Sequence, residues 1–362
     1  MASKTIQKQK IICVAIFYAV FCCGMLIGTF YDLEIDKALF HYDNPFGIFM
    51  EKYAMLPQFS VQLCAFTALL AAYHPAGEAF DIAAAFLPAL ERIPKNRGTY
   101  AVLFILDHAM YAAFLYGAFQ GSNQMLNFLL RTAAGGNIQD LLQDAGAPKF
   151  FAILVWTLVR LMPIALLLTV FRKTDKKIMK TVEFMAIVGL LMYYSVDIIE
   201  VLKAHFHRIR FREMIAYSHG LVNADGWTSR GNAMIPRSWI ADTDFSAYGR
   251  WYIIGNDRGV YSEPTSFPSG HTTAAVFTML LAPLFGKCKK LQPYFVPAFF
   301  VGFVYTLAMG ISRLIRGAHW LTDISAAALI MFTICLLYTK ILRLGEKRVL
   351  KNLQTTADSG NA

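Results

Sequence analysis

The chain has 362 residues, of which 56% are hydrophobic and 16% charged, and it carries a formal net charge of +10. A mean hydropathy of +0.45 excludes an ordinary soluble globular domain and makes a bilayer protein the expectation. The positive balance is assigned to membrane topology and to attraction for anionic headgroups, so no nucleic-acid partner is expected.

A membrane-spanning helix needs about 20 mostly apolar residues. Runs of this kind fall at about 11–31, 53–73, 100–120, 150–171, 181–202, 272–286, 293–312 and 321–340. The expected fold is therefore all-α, a polytopic transmembrane helix bundle of about eight spans. Six is the alternative if the weaker runs are discounted. The first run is followed by Tyr31, Asp32, Leu33 and Glu34 in place of a small-residue cleavage site, which reads as an uncleaved anchor. Ala79 to Ile93 is apolar but short and is interrupted by Asp81, Pro88, Glu91 and Arg92, so it reads as an interfacial or re-entrant piece.

Basic residues concentrate in alternate connections. They cluster at Lys4, Lys8 and Lys10, at Arg92, Lys95 and Arg97, and at Arg172, Lys173, Lys176, Lys177 and Lys180. Further clusters stand at Lys287, Lys289 and Lys290, and at Lys340, Arg343, Lys347, Arg348 and Lys351. Retention of such clusters in the cytoplasm places both termini inside. Cys13, Cys22, Cys23, Cys64, Cys288 and Cys335 fall in predicted spans or cytoplasmic loops without zinc-type spacing, so neither a disulfide nor a metal site is expected.

The longest polar connection runs from 203 to 268 and is placed outside by this alternation. At its start stand Lys203 and Arg210, with Arg208 and Arg212 alongside; at its end stand Pro268, Ser269, Gly270 and His271. Two spans later come Ser312, Arg313, His319 and Asp323. The topology brings these clusters to one membrane face. Lys203, Arg210 and Arg313 suit a phosphate dianion, the guanidinium groups engaging it bidentately. Ser269 and Gly270 precede a helix, so their backbone N–H groups are expected to add to anion binding. His319 and Asp323 are four residues apart and share a helix face, where the carboxylate can fix the ring tautomer and leave the other nitrogen free to attack phosphorus. His271 then serves as general acid and base.

These residues, in order and spacing, resemble the three signature motifs of the type 2 phosphatidic acid phosphatase (PAP2) superfamily. The second and third motifs match fully. The first departs from the pattern, because Phe211 stands where the family usually has Pro. The resemblance covers about the last 160 residues. It implies a PAP2-like catalytic core in a membrane lipid phosphatase, with His319 as nucleophile, Asp323 as its orienting partner and His271 as acid and base. Lys203, Arg210, Ser269, Gly270 and Arg313 would bind the phosphate, with no metal and no cofactor. The expected organisation is N-terminal transmembrane helices of unassigned role over 1–180, catalytic helices over 181–345, and a cytoplasmic tail over 346–362. An external site and a bacterial-looking chain point to the inner membrane, with the site facing the periplasm or exterior. The expected partners are a lipid phosphate or diphosphate substrate and the surrounding lipids.

Two rivals stand beside this reading. A lipid phosphotransferase would use the same site and pass the phosphoryl group to another acceptor. A transporter would use intramembrane charges such as Asp107 and Glu183, but the internal repeats that would favour it are not found. Arg208 and Arg316 are divided between phosphate contact and a surface role, and Asp197 and Glu200 are expected to neutralise nearby cations.

Overall fold

The computed structural model describes residues 2–73, 97–134, 146, 148–223, 226–227, 235–248 and 266–359. The expectation for Ala79 to Ile93 lies outside these residues. The described helices are α1 (Ala2–Leu39), α2 (Pro45–Tyr53), α3 (Leu56–Ala72), α4 (Arg97–Ala134), α5 (Lys149–Lys173), α6 (Lys176–Tyr194), α7 (Asp197–Phe206) and α8 (Phe211–Ser218). They continue with α9 (Trp239–Asp242), α10 (Gly270–Val276), α11 (Leu281–Lys287), α12 (Phe295–Ile315) and α13 (Leu321–Ser359). The described strands are a two-residue antiparallel ladder, Val222–Asn223 against Gly226–Trp227.

Among the described residues, six helical segments are long and apolar enough to cross a membrane: Thr5–Leu39, Pro45–Ala72, Lys149–Lys173, Lys176–Ser218, Gln292–Ile315 and Leu321–Gly345. The chain is thus a helical integral membrane protein, with six candidate spans among the described residues where the apolar runs predict about eight, or six. The run at 100–120 lies in α4, which is not one of the six. The run at 272–286 is made of α10 and α11 joined by the 3-10 turn Phe277–Leu280. It carries Thr272, Thr273, Thr278 and Pro283 among its apolar residues, which lowers its hydropathy.

The chain divides into two compact units, one of residues 1–58 with 194–334, the other of 59–193 with 335–362. In the first unit, α1 turns Cys13, Phe17 and Phe21 inward at four-residue spacing, while Ile11, Ile12, Leu26, Ile27 and Phe30 are exposed. Exposed apolar side chains are what a lipid-facing helix presents. Phe17 packs on Phe332 with ring centroids 3.9 Å apart and on Phe303 at 5.8 Å. One turn further on, a side chain at Gly24 would collide with Ser325 and one at Gly28 with Thr322. This G-x-x-x-G stripe lets the α1 backbone approach the start of α13, the usual basis of close helix packing in lipid. At the far end of the same helix Lys10 Nζ donates to Gly286 O at 2.6 Å, so the basic clusters around Lys10 and Lys287 share one end of this unit.

The predicted polar connection begins in helices. Phe211 opens α8 at the first helical position, where Pro is also favoured, and its ring packs on Phe40, Phe245 and Trp320. Phe211, Met214 and Ile215 are fully buried in that cluster. The amphipathic α8 is a short helix that burial, not length, stabilises.

In the second unit α4 packs on α5, and Leu63, Ala118 and Ile164 form a core. A second cluster joins Ala65, Ala68, Met179 and Ala186. Tyr73 donates to Asp107 Oδ1 at 2.7 Å, His108 Nδ1 lies 2.8 Å from Phe104 O, and Tyr193 donates to Gln124 at 2.5 Å. Asp107 is thus paired with Tyr73.

Candidate active site

A cavity of about 200 Å³ in the first unit is lined by Lys203, Arg210, Arg212, Gly270, His271, Arg313 and His319, with Glu51, Glu200 and Ala318. Met55, Gln58 and Val196 complete its wall. Every lining group comes from a helix end or the turn beside it. Lys203 lies in the last turn of α7, Arg210 is the N-cap of α8, Gly270 and His271 open α10, Arg313 lies in the last turn of α12, and His319 precedes α13. Residues separated by more than a hundred positions are therefore brought to one pocket.

Local sequence explains each placement. Lys203 donates to Glu200 Oε1 at 2.7 Å, one helical turn away, and the chain then reverses at His207, whose φ is 42°. The turn presents Arg210, whose backbone N–H is accepted by Glu213 Oε2 at 3.1 Å, the reaching-back half of a capping box. Lys203 Nζ would stand 3.0 Å from a Cβ at position 270, so Gly270 leaves room for the ammonium group at the mouth of α10.

Arg313 is fully buried, an arrangement that requires partners. Its Nη2 donates to Gly47 O at 3.0 Å and its Nε to Ser312 Oγ at 3.2 Å, while Nη1 lies 3.4 Å from Glu51 Oε2. Asn44 and Pro45 start α2 with a side-chain cap on Gly47 N at 3.1 Å, and this fixes where Gly47 and Glu51 fall.

The two imidazoles face each other with ring centroids 6.4 Å apart. His319 Nδ1 lies 2.7 Å from the Ser266 carbonyl oxygen, which can only accept, so Nδ1 carries the proton and Nε2 has the lone pair. Asp323 Oδ2 is more distant, 3.6 Å from Nδ1. The expected direct histidine–carboxylate hydrogen bond is therefore replaced by a backbone acceptor. Asp323 is instead occupied by Arg208, by Ser266 Oγ and by the Trp320 N–H at 3.0 Å. It has the third helical position of α13, where a carboxylate can cap the preceding N–H and meet the positive end of the helix dipole.

Burial pushes His319 down to about 4, with the Asp323 carboxylate opposing the shift. His271 is held well below the ordinary histidine range by burial and then by the Arg313 charge. Both rings are neutral at pH 7 in this pocket.

Two sequence expectations change. The Ser269 N–H donates to Asp323 O at 3.1 Å, and its hydroxyl caps α10 by accepting from Thr272 N at 3.2 Å. Ser269 therefore ties α10 to α13 and does not line the cavity. Arg208 is buried and spans Asp323, Thr322 Oγ1 and Asp32 Oδ2, the last at 2.9 Å, so it meets carboxylates and not solvent.

Sequence reasoning missed Asp32 and Glu51, both in the segment left without a role. Asp32 accepts from Thr322 N at 3.2 Å and so caps α13 from α1. Glu51 Oε2 accepts from Arg316 Nε at 2.8 Å, and Oε1 lies 3.3 Å from Arg212 Nη1. Asp32 follows the first apolar run and Glu51 precedes the second, but each lies in a helical segment long and apolar enough to cross a membrane, where an ionisable residue commonly marks function. Among the described residues, no three or more His, Cys, Asp or Glu side chains are grouped as a metal site.

Residues 184–345 match the family model of the PAP2 superfamily. No curated protein and no solved structure matches the chain.

Proposed function

From the PAP2-superfamily domain carried by residues 184–345, a family of phosphatases, we propose that this integral membrane protein hydrolyses a lipid phosphate through a phosphohistidine intermediate. The observation that carries the reading is the convergence of Lys203, Arg210, Arg313, His271 and His319 on one cavity.

In this reading the cations hold the phosphate oxygens, and their charge offsets the charge that builds on phosphorus substituents in the transition state. His319 Nε2 attacks phosphorus, forming a P–N bond as the bond to the lipid oxygen breaks. His271, protonated when the dianion binds, gives its proton to the departing alkoxide. Neutral His271 then takes a proton from water, whose oxygen attacks phosphorus and returns His319 and inorganic phosphate. Ser266 O keeps the Nδ1 proton of His319 in place throughout, and Asp323 acts on that geometry through Ser266 and the N-terminus of α13. No metal takes part in these steps, so EDTA is expected to leave turnover unchanged.

The alternation of basic clusters supports a site on the face opposite the cytoplasm, which in a bacterial inner membrane is the periplasmic face. Envelope lipids carrying a phosphate or diphosphate are then the substrate class. The test is release of inorganic phosphate by the purified protein from a panel of lipid phosphates without any acceptor lipid. Release establishes hydrolysis; activity that appears only on addition of an acceptor would replace this reading with phosphotransfer.

A further inference from the structure

We propose that Glu51 sets the charge this pocket accepts and makes a lipid monophosphate the preferred substrate over the corresponding diphosphate. The inference rests on the phosphatase reading above and narrows its substrate class.

Glu51 comes from α2, outside the matched segment 184–345, yet it stands in the arginine cluster. Its carboxylate reaches Arg316 at 2.8 Å, Arg212 at 3.3 Å and Arg313 at 3.4 Å. It is the sole carboxylate shared by these three arginines among the described ion pairs. The other described cations of the cavity have partners of their own, Glu200 for Lys203 at 2.7 Å and Glu213 for Arg210 at 3.3 Å.

The described charges that line the cavity are four cations, Lys203, Arg210, Arg212 and Arg313, and two carboxylates, Glu51 and Glu200. Immediately behind them stand Arg316 and Glu213, and behind His319 stand Arg208 with Asp32 and Asp323. With His271 protonated on binding the dianion and His319 neutral, the balance is two positive charges. A phosphate monoester carries about −1.5 to −2 at pH 7, so one such group neutralises the pocket. A diphosphate brings at least one further negative charge, and the arginines that would receive it, Arg212 and Arg316, already hold Glu51. The second phosphate would have to displace that carboxylate or lie against it, and like charges in contact are unfavourable.

Removing the charge while keeping the shape takes away the like-charge repulsion that the second phosphate meets at Glu51. The experiment measures kcat/KM of the full-length protein in detergent for a polyprenyl monophosphate and for the diphosphate of the same prenol. Wild type is expected to favour the monophosphate. Glu51→Gln is expected to raise the diphosphate-to-monophosphate ratio at least tenfold, a fraction of the interaction between two unit charges a few Å apart near a protein surface. Glu51→Asp, which keeps the charge, should leave the ratio within about twofold of wild type. A wild-type preference for the diphosphate, or a ratio unmoved in Glu51→Gln, overturns the proposal. If wild type releases phosphate from neither lipid, the phosphatase reading itself fails and the proposal falls with it. A measurement independent of any variant's folding compares inhibition of wild type by inorganic phosphate and by pyrophosphate; tighter inhibition by pyrophosphate also overturns it.

Discussion

Arg208 donates to the carboxylate of Asp323 while its other terminal nitrogen donates to Asp32 Oδ2 at 2.9 Å. One guanidinium thereby joins α1 to the start of α13, and all three side chains are buried. Removing one member of such a set leaves uncompensated charge, a cost of about 3–5 kcal/mol. Arg208→Ala is expected to lower the thermal unfolding midpoint in detergent markedly, and Arg208→Lys to recover only part of the loss, because a single ammonium cannot reach both carboxylates in a forked geometry. Unfolding of Arg208→Ala at the wild-type temperature would show that the set contributes nothing.

The distances around His319 separate two variants that the sequence alone would group together. His319→Ala removes the proposed nucleophile and should abolish turnover and phosphoenzyme labelling while leaving the unfolding midpoint close to wild type. Asp323→Asn should slow turnover by about 10–100-fold, the size associated with groups that orient a reacting histidine from behind, because Ser266 O still holds Nδ1 at 2.7 Å. Equal losses in the two variants would mean that the Asp323 carboxylate, 3.6 Å away, is the direct partner after all.

The pH dependence follows from burial. His319 has its folded pKa lowered to about 4, so its neutral, nucleophilic form persists above that value and is lost as pH falls through it. The acid limb of kcat/KM, which reports the free enzyme, is expected near pH 4 in place of the ordinary histidine value near 6.5. Phosphoenzyme trapped by acid quench at pH 5 should match that at pH 7. A loss of labelling centred near 6.5 would place His319 in a wetter and less cationic setting than this cavity.

Sidedness is tested by cysteine accessibility. Ser246 lies beyond α9 in the connection between Lys203 and His271, and Thr174 ends α5 beside Arg172 and Lys173. In a background with Cys13, Cys22, Cys23, Cys64, Cys288 and Cys335 replaced, Ser246→Cys should react with a membrane-impermeant maleimide in intact cells. Thr174→Cys should react only after permeabilisation. The reverse pattern would put the site in the cytoplasm and remove outer-leaflet lipids from the substrate class.

The sequence by itself determined the helical membrane fold and pointed to several of the residues that line the cavity. Apolar runs near the bilayer thickness have no stable alternative to helix in lipid, and the spacings from Lys203 to Arg210 and from Arg313 to Asp323 are local enough to be recognised without coordinates. Only the tertiary structure decided which charge meets which. Arg208, Arg210 and Arg212 look alike in the chain, yet one holds Asp32 and Asp323 while the other two line the cavity. Ser269 has the right position for an anion ligand, but its N–H is taken by Asp323 O. Glu51 lies 262 residues before Arg313 and still reaches it at 3.4 Å. The strength of an ion pair depends on distance and on burial, and neither quantity is encoded locally when the partners come from helices that meet only after the bundle has packed.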